Sequence, residues 1–285
     1  MRNSQQQKLT RVIVYSVLLM MALFYLTPLY VMVSTSFKTS EAIRAGGLLL
    51  PPTHFTFDAW ATAWGSACIG AECNGLKGYF LNSLKMAIPA VLISTFLGSV
   101  NGYILTQWRF RGSEWVFRAM LLGCFIPFQA ILLPMAQTLS IVGVESGTVR
   151  LIFVHVVYGI GFTTLFFRNY YMSIPEDLIK AARIDGAGFF RIFWSILMPI
   201  SLPIAMVCVI WQFTQIWNDF LFGVVFAESP PVTVGLNNLV NTSTGVKEYN
   251  VDMAGAMIAA LPTLFVYAVA GKYFVRGLTA GAVKG

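Results

Sequence analysis

Apolar residues along this chain gather into six long stretches, and polar residues collect between them. The stretches run from about Val12 to Ser36, Phe80 to Thr106, Val116 to Leu139, Gly147 to Phe167, Ile200 to Phe226 and Met253 to Phe274. Each is near or above the roughly 20 residues that carry a helix across a bilayer. The pattern predicts an all-α integral membrane protein with six spans. Pro28, Pro89, Pro127, Pro134, Pro203 and Pro262 fall inside or near the ends of these stretches. Prolines are compatible with spans because neighbouring helices re-satisfy the freed backbone groups. The first stretch exceeds the apolar core of a signal peptide, and no small-x-small cleavage site follows it closely. It is therefore expected to be a retained helix.

Composition agrees with the pattern. Of 285 residues, 57% are hydrophobic and 11% charged, against about 25% charged in soluble domains. Six spans with ordinary loops use up the chain, so residues 1–285 are expected to form one transmembrane domain. The net charge of +7 does not point to nucleic acid, because no basic stripe or aromatic stacking motif accompanies it. The distribution of basic residues is more telling. Of the 19 Lys and Arg, thirteen fall on the side of the N-terminus, the 2–3 loop, the 4–5 loop and the C-terminus. Lys38, Arg44, Lys77, Arg150 and Lys247 fall on the other side, and Lys85 lies near the outer end of span 2. The positive-inside rule then places both termini in the cytoplasm.

Four cysteines are present. Cys124 and Cys208 lie within spans and read as packing residues. Cys68 and Cys73 lie in the long, external 1–2 loop, where an oxidising periplasm would allow a disulfide. A zinc site is disfavoured there, since no second pair of ligands is near.

The connection between spans 4 and 5, about Arg168 to Met198, is longer than a hairpin needs, and such loops are usually structured or functional. Ser173-Ile-Pro-Glu176 matches a capping box, with Ser173 accepting from the Glu176 amide. Leu178, Ala181 and Ala182 are expected on one helical face. Asp185-Gly186 signals a turn, and a second apolar stretch runs from Phe189 to Leu197. The prediction is a short helix, a turn and a second short helix at the cytoplasmic surface. The bland alternative is an amphipathic helix resting on lipid, but Asp185-Gly186 interrupts the apolar face such a helix would continue.

Lys180-Ala-Ala-Arg-Ile-Asp-Gly-Ala187 followed by Ile196-Leu-Met-Pro199 resembles the E-A-A-x3-G-x9-I-x-L-P signature of permease subunits of binding-protein-dependent ABC importers. Ala181, Ala182, Gly186, Ile196 and Pro199 match; Lys180 stands where the family has Glu, and Met198 where it has Leu. Ile174-Pro-Glu-Asp-Leu178, Trp217-Asn-Asp-Phe220 and the tail Gly277-Leu-Thr-Ala-Gly-Ala-Val-Lys-Gly285 are similar to the carbohydrate branch, in particular to the six-span "G" type of maltose permease. The resemblance implies a type I importer domain that moves a carbohydrate, such as a monosaccharide, from periplasm to cytoplasm by alternating access. It implies that Leu178, Lys180, Ala181, Ala182, Asp185, Gly186, Ala187 and Phe190 form a coupling helix docked on a separate ATPase. It also implies that Gly277, Gly281 and Lys284 in the tail touch that ATPase. The implied partners are a second permease in a heterodimer, an ATPase dimer carrying ATP and Mg, a periplasmic solute-binding protein and the lipid of a bacterial inner membrane.

Polar residues inside a span are functional candidates by default. Gln212, Gln215, Asn218 and Asp219 could line a polar passage, with Trp211 or Trp217 stacking on a sugar face. Helix–helix hydrogen bonding, or a cap at the periplasmic end, explains them equally well. The lone His155 reads as an inter-helical hydrogen-bonding residue. No Walker-type loop, metal cluster or nucleophile–base set is present, so this chain is expected to be non-catalytic and to hold no cofactor. A competing class, an ion-coupled secondary transporter, is disfavoured by the scarcity of intramembrane charge and by the coupling signature.

Overall fold

In the computed structural model the described residues are 4–144, 147–242 and 247–282, with side chains described for 8–144, 147–242 and 247–271. The chain is helical throughout. Among the described residues the only β pairing is an isolated bridge between Ile69 and Glu72. Helices Lys8–Ser36, Lys77–Gln107, Gly147–Met172 and Tyr249–Gly271 are each long and apolar enough to cross a membrane, and two sharply bent pairs raise the number to six if each pair is one span.

One compact unit comprises Met1–Lys77 and Leu236–Ala259. It contains α1 (Ser4–Ser36), the short outer helices α2 (Ser40–Arg44) and α3 (Asp58–Gly65), and the disulfide Cys68–Cys73. Every described side chain of α1 from Lys8 to Tyr30 is exposed. A helix apolar on all sides needs lipid or another chain around it. The outer segments are knit by polar bonds. Asn250 donates to the Lys38 carbonyl at 3.1 Å, and the Gly70 amide donates to Thr242 at 3.3 Å. Phe37 stacks between Phe55 at 4.2 Å and Trp60 at 5.5 Å.

The second unit comprises Gly78–Gly235 and Ala260–Gly285. Its frame is α4 (Lys77–Gln107), α5 (Ser113–Cys124), α6 (Phe128–Ile141) and α7 (Gly147–Met172). Small residues let α4 and α7 meet backbone to backbone. A Cβ at Gly98 would fall 2.3 Å from Thr163 Oγ1, and one at Gly102 would fall 2.8 Å from Phe167 Cβ. Thr163 seals the contact by donating to the Ser94 carbonyl at 2.9 Å. Next to this contact on α7, Arg168 pairs with Glu114 of α5 at 2.9 Å and lies over the Phe117 ring.

Two predicted spans are broken. The third stretch, expected as one helix from Val116 to Leu139, is α5 and α6 meeting at 108°. The break falls at Ile126-Pro127, where the residue before proline is biased away from the helical region. The fifth stretch, expected from Ile200 to Phe226, is preceded by α8 (Glu176–Ile184), α9 (Phe189–Ile192), a π-helical segment Phe193–Leu197 and α10 (Met198–Ile200). A 75° bend then leads into α11 (Leu202–Trp217). Pro203, lacking an N–H, sits just inside α11 and favours that bend. The stretch does not continue to Phe226 as one helix: α11 ends at Trp217, and α12 (Leu221–Phe226) restarts after Asp219. α13 (Val232–Asn241) and α14 (Tyr249–Ala282) complete the order.

Candidate functional site: a docking loop and a polar cavity

The 4–5 connection is built as a rooted turn. α8 opens after Pro175, and Ser173 does not cap it. Ser173 instead donates both its N–H and its hydroxyl to the Tyr170 carbonyl, at 3.0 and 2.7 Å, closing the end of α7. The capping-box expectation is therefore corrected: Ser173 is spent on the preceding helix, and Glu176 pairs with Lys180 at 3.0 Å. That pair holds the Glu176 carboxyl below its ordinary range and pushes the Lys180 ammonium up. α8 ends in a Schellman cap. Gly186 has φ +77°; its N–H donates to Arg183 O at 3.0 Å, and the Ala187 N–H donates to Ala182 O at 2.9 Å. Asp185 is the residue at the helix end.

The faces of α8 differ from expectation. Ile179 and Ala182, three apart, point inward and are buried with Tyr103, Phe167, Tyr171 and Phe193. Leu178 and Ala181 are exposed while Ala182 is buried, so the three do not form one exposed face. Ala187 is half-buried against the same inner cluster. The exposed side carries Leu178 at 44%, Ile184 at 86% and, beyond the turn, Phe190 at 73% exposure. Ile184 was missed in the sequence because the signature leaves its position open. The signal was nonetheless there, since Leu178, Ala181 and Ile184 follow an i, i+3, i+6 spacing. Aromatic packing roots the second half of the loop. Tyr103 donates to the Phe189 carbonyl at 3.3 Å and stacks on Phe193 at 5.7 Å. Arg183 donates to the Gln107 carbonyl at 2.7 Å and covers Trp108.

A second feature lies between α6, α7, α11 and α12: a cavity of about 750 Å³. It brings together all four polar candidates of span 5, namely Gln212, Gln215, Asn218 and Asp219, with His155 and Trp211. Asp219 accepts from the amides of Phe222 at 3.4 Å and Gly223 at 3.1 Å, which satisfies the first turn of α12. Asn218 donates to the Thr214 carbonyl at 2.9 Å. The cap and the cavity wall are thus the same residues. Trp217 cannot stack on a ligand, because it is 1% exposed and packed on Phe213 and Phe80. Trp211 lines the cavity beside Phe162, with ring centroids 4.5 Å apart. Among the described residues the His155 Nε2 makes no hydrogen bond; the His155 backbone carbonyl accepts from Gln212 across helices, at 3.1 Å. Lys284 and the side chains around Gly277 and Gly281 lie outside the described residues.

The family profile of the binding-protein-dependent transport system inner membrane component matches residues 90–279. A probable ABC transporter permease of Pyrococcus horikoshii is 40% identical over 97% of this chain and 98% of its own. A xylose/arabinose import permease of Haloferax volcanii is 33% identical over 95% and 92%. A crystal structure of a bacterial ABC transporter involved in the import of the acidic polysaccharide alginate shares the fold, with a TM-score of 0.83 at 20% identity over 95% of this chain and 99% of that one. With a family match over two thirds of its length, this chain belongs to the inner-membrane components of binding-protein-dependent transport systems, as a multi-pass, non-catalytic permease subunit of an ABC transporter.

Proposed function

We infer that this subunit imports a carbohydrate, a monosaccharide or short oligosaccharide, and that residues 168–198 couple it to a separate ATPase. The whole chain acts as one type I transmembrane domain. The observation that carries the coupling is the two-sided construction of α8. Ile179 and Ala182 are sunk into the protein, while Leu178, Ile184 and Phe190 stand exposed around a rigid cap. Exposed apolar anchors beside a fixed turn suit a partner's groove. The inner anchors give a displaced α8 a direct grip on α4, α7 and the π-helical segment.

Carbohydrate is favoured by the relatives. Besides the xylose/arabinose permease, a glucose import permease of Saccharolobus solfataricus is 29% identical over 95% of the chain. An arabinooligosaccharide permease of Bacillus subtilis is 28% identical over its full length. The remaining machinery follows: a second permease subunit, an ATPase dimer that binds ATP and Mg, and a periplasmic binding protein that delivers the solute. The chain sits in a bacterial inner membrane with both termini in the cytoplasm, and the tail from Gly277 to Lys284 reaches the ATPase. Gln212, Gln215, Asn218 and Asp219 lie on the solute's route.

The coupling is tested with Ile184→Glu and Phe190→Glu, which place charge on the exposed anchors without touching the inner cluster. Both variants are expected to insert normally and to lose co-purifying ATPase and uptake. Wild-type ATPase recovery in both would remove this loop as the docking element.

A further inference from the structure

The cavity beside α11 is chemically more specific than a passive wall. Two residues that line it each carry a buried atom, His155 Nε2 and Gln212 Oε1, with no hydrogen-bond partner among the described residues. The two residues are only 5% and 2% exposed. Buried polar groups are normally paired, so such atoms call for an explanation. Neither is free to turn elsewhere. The Gln212 amide nitrogen is fixed on the His155 carbonyl at 3.1 Å, which aims the amide oxygen away from that bond. Gly159 makes the room: a Cβ there would fall 1.8 Å from Gln212 Nε2. The His155 ring is held edge-on to Phe222, and its Nε2 stands 3.8 Å from Asp219 Oδ2, too far for a hydrogen bond.

A hydroxyl group answers this arrangement, because it both donates and accepts. Gln215 and Asn218 add further amide edges, and the Trp211 indole adds an apolar face suited to the C–H face of a sugar ring. The volume falls within the range of small-molecule sites. Charge then narrows the class. No Lys or Arg lines the cavity, whereas the Asp219 carboxylate does. An anionic sugar would meet a like charge with no cation to compensate, and that is how a site excludes a close analogue.

We propose that this subunit itself holds a solute site, built on His155, Gln212, Gln215 and Asp219 with Trp211 as platform, that accepts a neutral hydroxylated ring and rejects its carboxylate counterpart. The proposal rests on the carbohydrate-import reading above and adds where the sugar is held and which charge it carries.

A native reporter exists. Cys124 lines the cavity, whereas Cys208 is buried and Cys68 is bonded to Cys73. The complete transporter, with its partner permease, ATPase and binding protein, is reconstituted in vesicles and treated with N-ethylmaleimide. Alkylation is read at the Cys124 peptide by mass spectrometry, with D-glucose, D-xylose or D-glucuronate present. Uptake of the same labelled sugars is measured in parallel. Glucose or xylose is expected to slow alkylation, and glucuronate to leave it unchanged. Gln212→Leu is expected to raise the half-protecting sugar concentration about tenfold, the effect of one lost hydrogen bond. Asp219→Asn keeps the cap on α12 and should let glucuronate protect. If Gln212→Leu does not assemble, Gln215→Leu, on a more exposed side chain, serves in its place. Uptake of a neutral sugar without protection of Cys124 would overturn the site alone. Equal protection by glucuronate would overturn its charge selection. Absence of both uptake and protection with the neutral sugars would overturn the carbohydrate reading beneath it.

Discussion

Gly186→Val perturbs the coupling loop at one atom group and leaves the rest of the chain untouched. A Cβ at this position would meet nothing within 4 Å, so no clash arises inside the subunit. The cost is in the backbone. Gly186 sits at φ +77°, where an ordinary L-residue loses about 1–2 kcal/mol and a β-branched one approaches about 3 kcal/mol. If the turn gives way instead, the two cap bonds to Arg183 O and Ala182 O are lost and Ile184 leaves its place. Since about 1.4 kcal/mol is tenfold in population, the docking-ready turn falls roughly 10- to 100-fold, and apparent affinity for the ATPase falls with it. Expression and insertion should stay near wild type, because the loop lies outside the spans. ATPase co-purification should drop, and solute-stimulated ATP hydrolysis and uptake should be lost together. Gly186→Asn supplies the control, since asparagine tolerates this conformation while adding comparable volume. If asparagine rescues what valine loses, the backbone is limiting; if it does not, the partner's groove is. Normal transport by Gly186→Val with its ATPase bound would refute the assignment of this loop.

Lys180→Gln should be mild, because both partners of the Glu176–Lys180 pair are exposed. The pair's contribution is present at neutral pH and fades as acid titrates Glu176, whose carboxyl is depressed by Lys180; uptake by the variant at neutral pH should stay close to wild type. Thiol labelling without reductant should leave Cys68 and Cys73 unmodified, and full labelling of both would refute their bond. Deleting Gly277 to Gly285 should reduce uptake while insertion persists; unchanged uptake would mark the tail as a frayed end.

Four of the apolar stretches coincide with helices long and apolar enough to cross a membrane, because bilayer thickness sets a length that hydropathy records directly. Hydropathy says less about what happens within a span. Lipid-facing and protein-facing positions are both apolar, so the bend between α5 and α6 leaves no trace in the pattern beyond Pro127. The same holds for Trp217, whose burial could not be told from a pore-facing position. Asn218 and Asp219 were visible as polar residues, but whether they capped or lined was open, and the structure has them do both. In the loop, the turn at Gly186 was legible from Asp-Gly, while the helix start was not. Ser173 had two helices to serve, and only the end of α7 at Tyr170 shows which one it took. The inward placement of Ala182 likewise depended on Ile179, which had not been picked out as an anchor.

The contact of Gly98 and Gly102 with α7 has a mechanical meaning. Two helices joined with backbone so close cannot slide or roll past each other without separating, so α4 and α7 would behave as a single stiff beam. If α8 is the coupling element proposed above, a push on it would enter that beam through Ile179 and Ala182, which are packed on Tyr103 and Phe167. A joint for such a push is available at the 75° corner before α11, where Pro199 and Pro203 open the helices on either side of Ser201. Stroke length in such a device is set by the joint and not by the arms. Stiffening that corner would therefore shorten the conformational swing while leaving docking intact, and loosening the beam would waste the push before it reached the cavity.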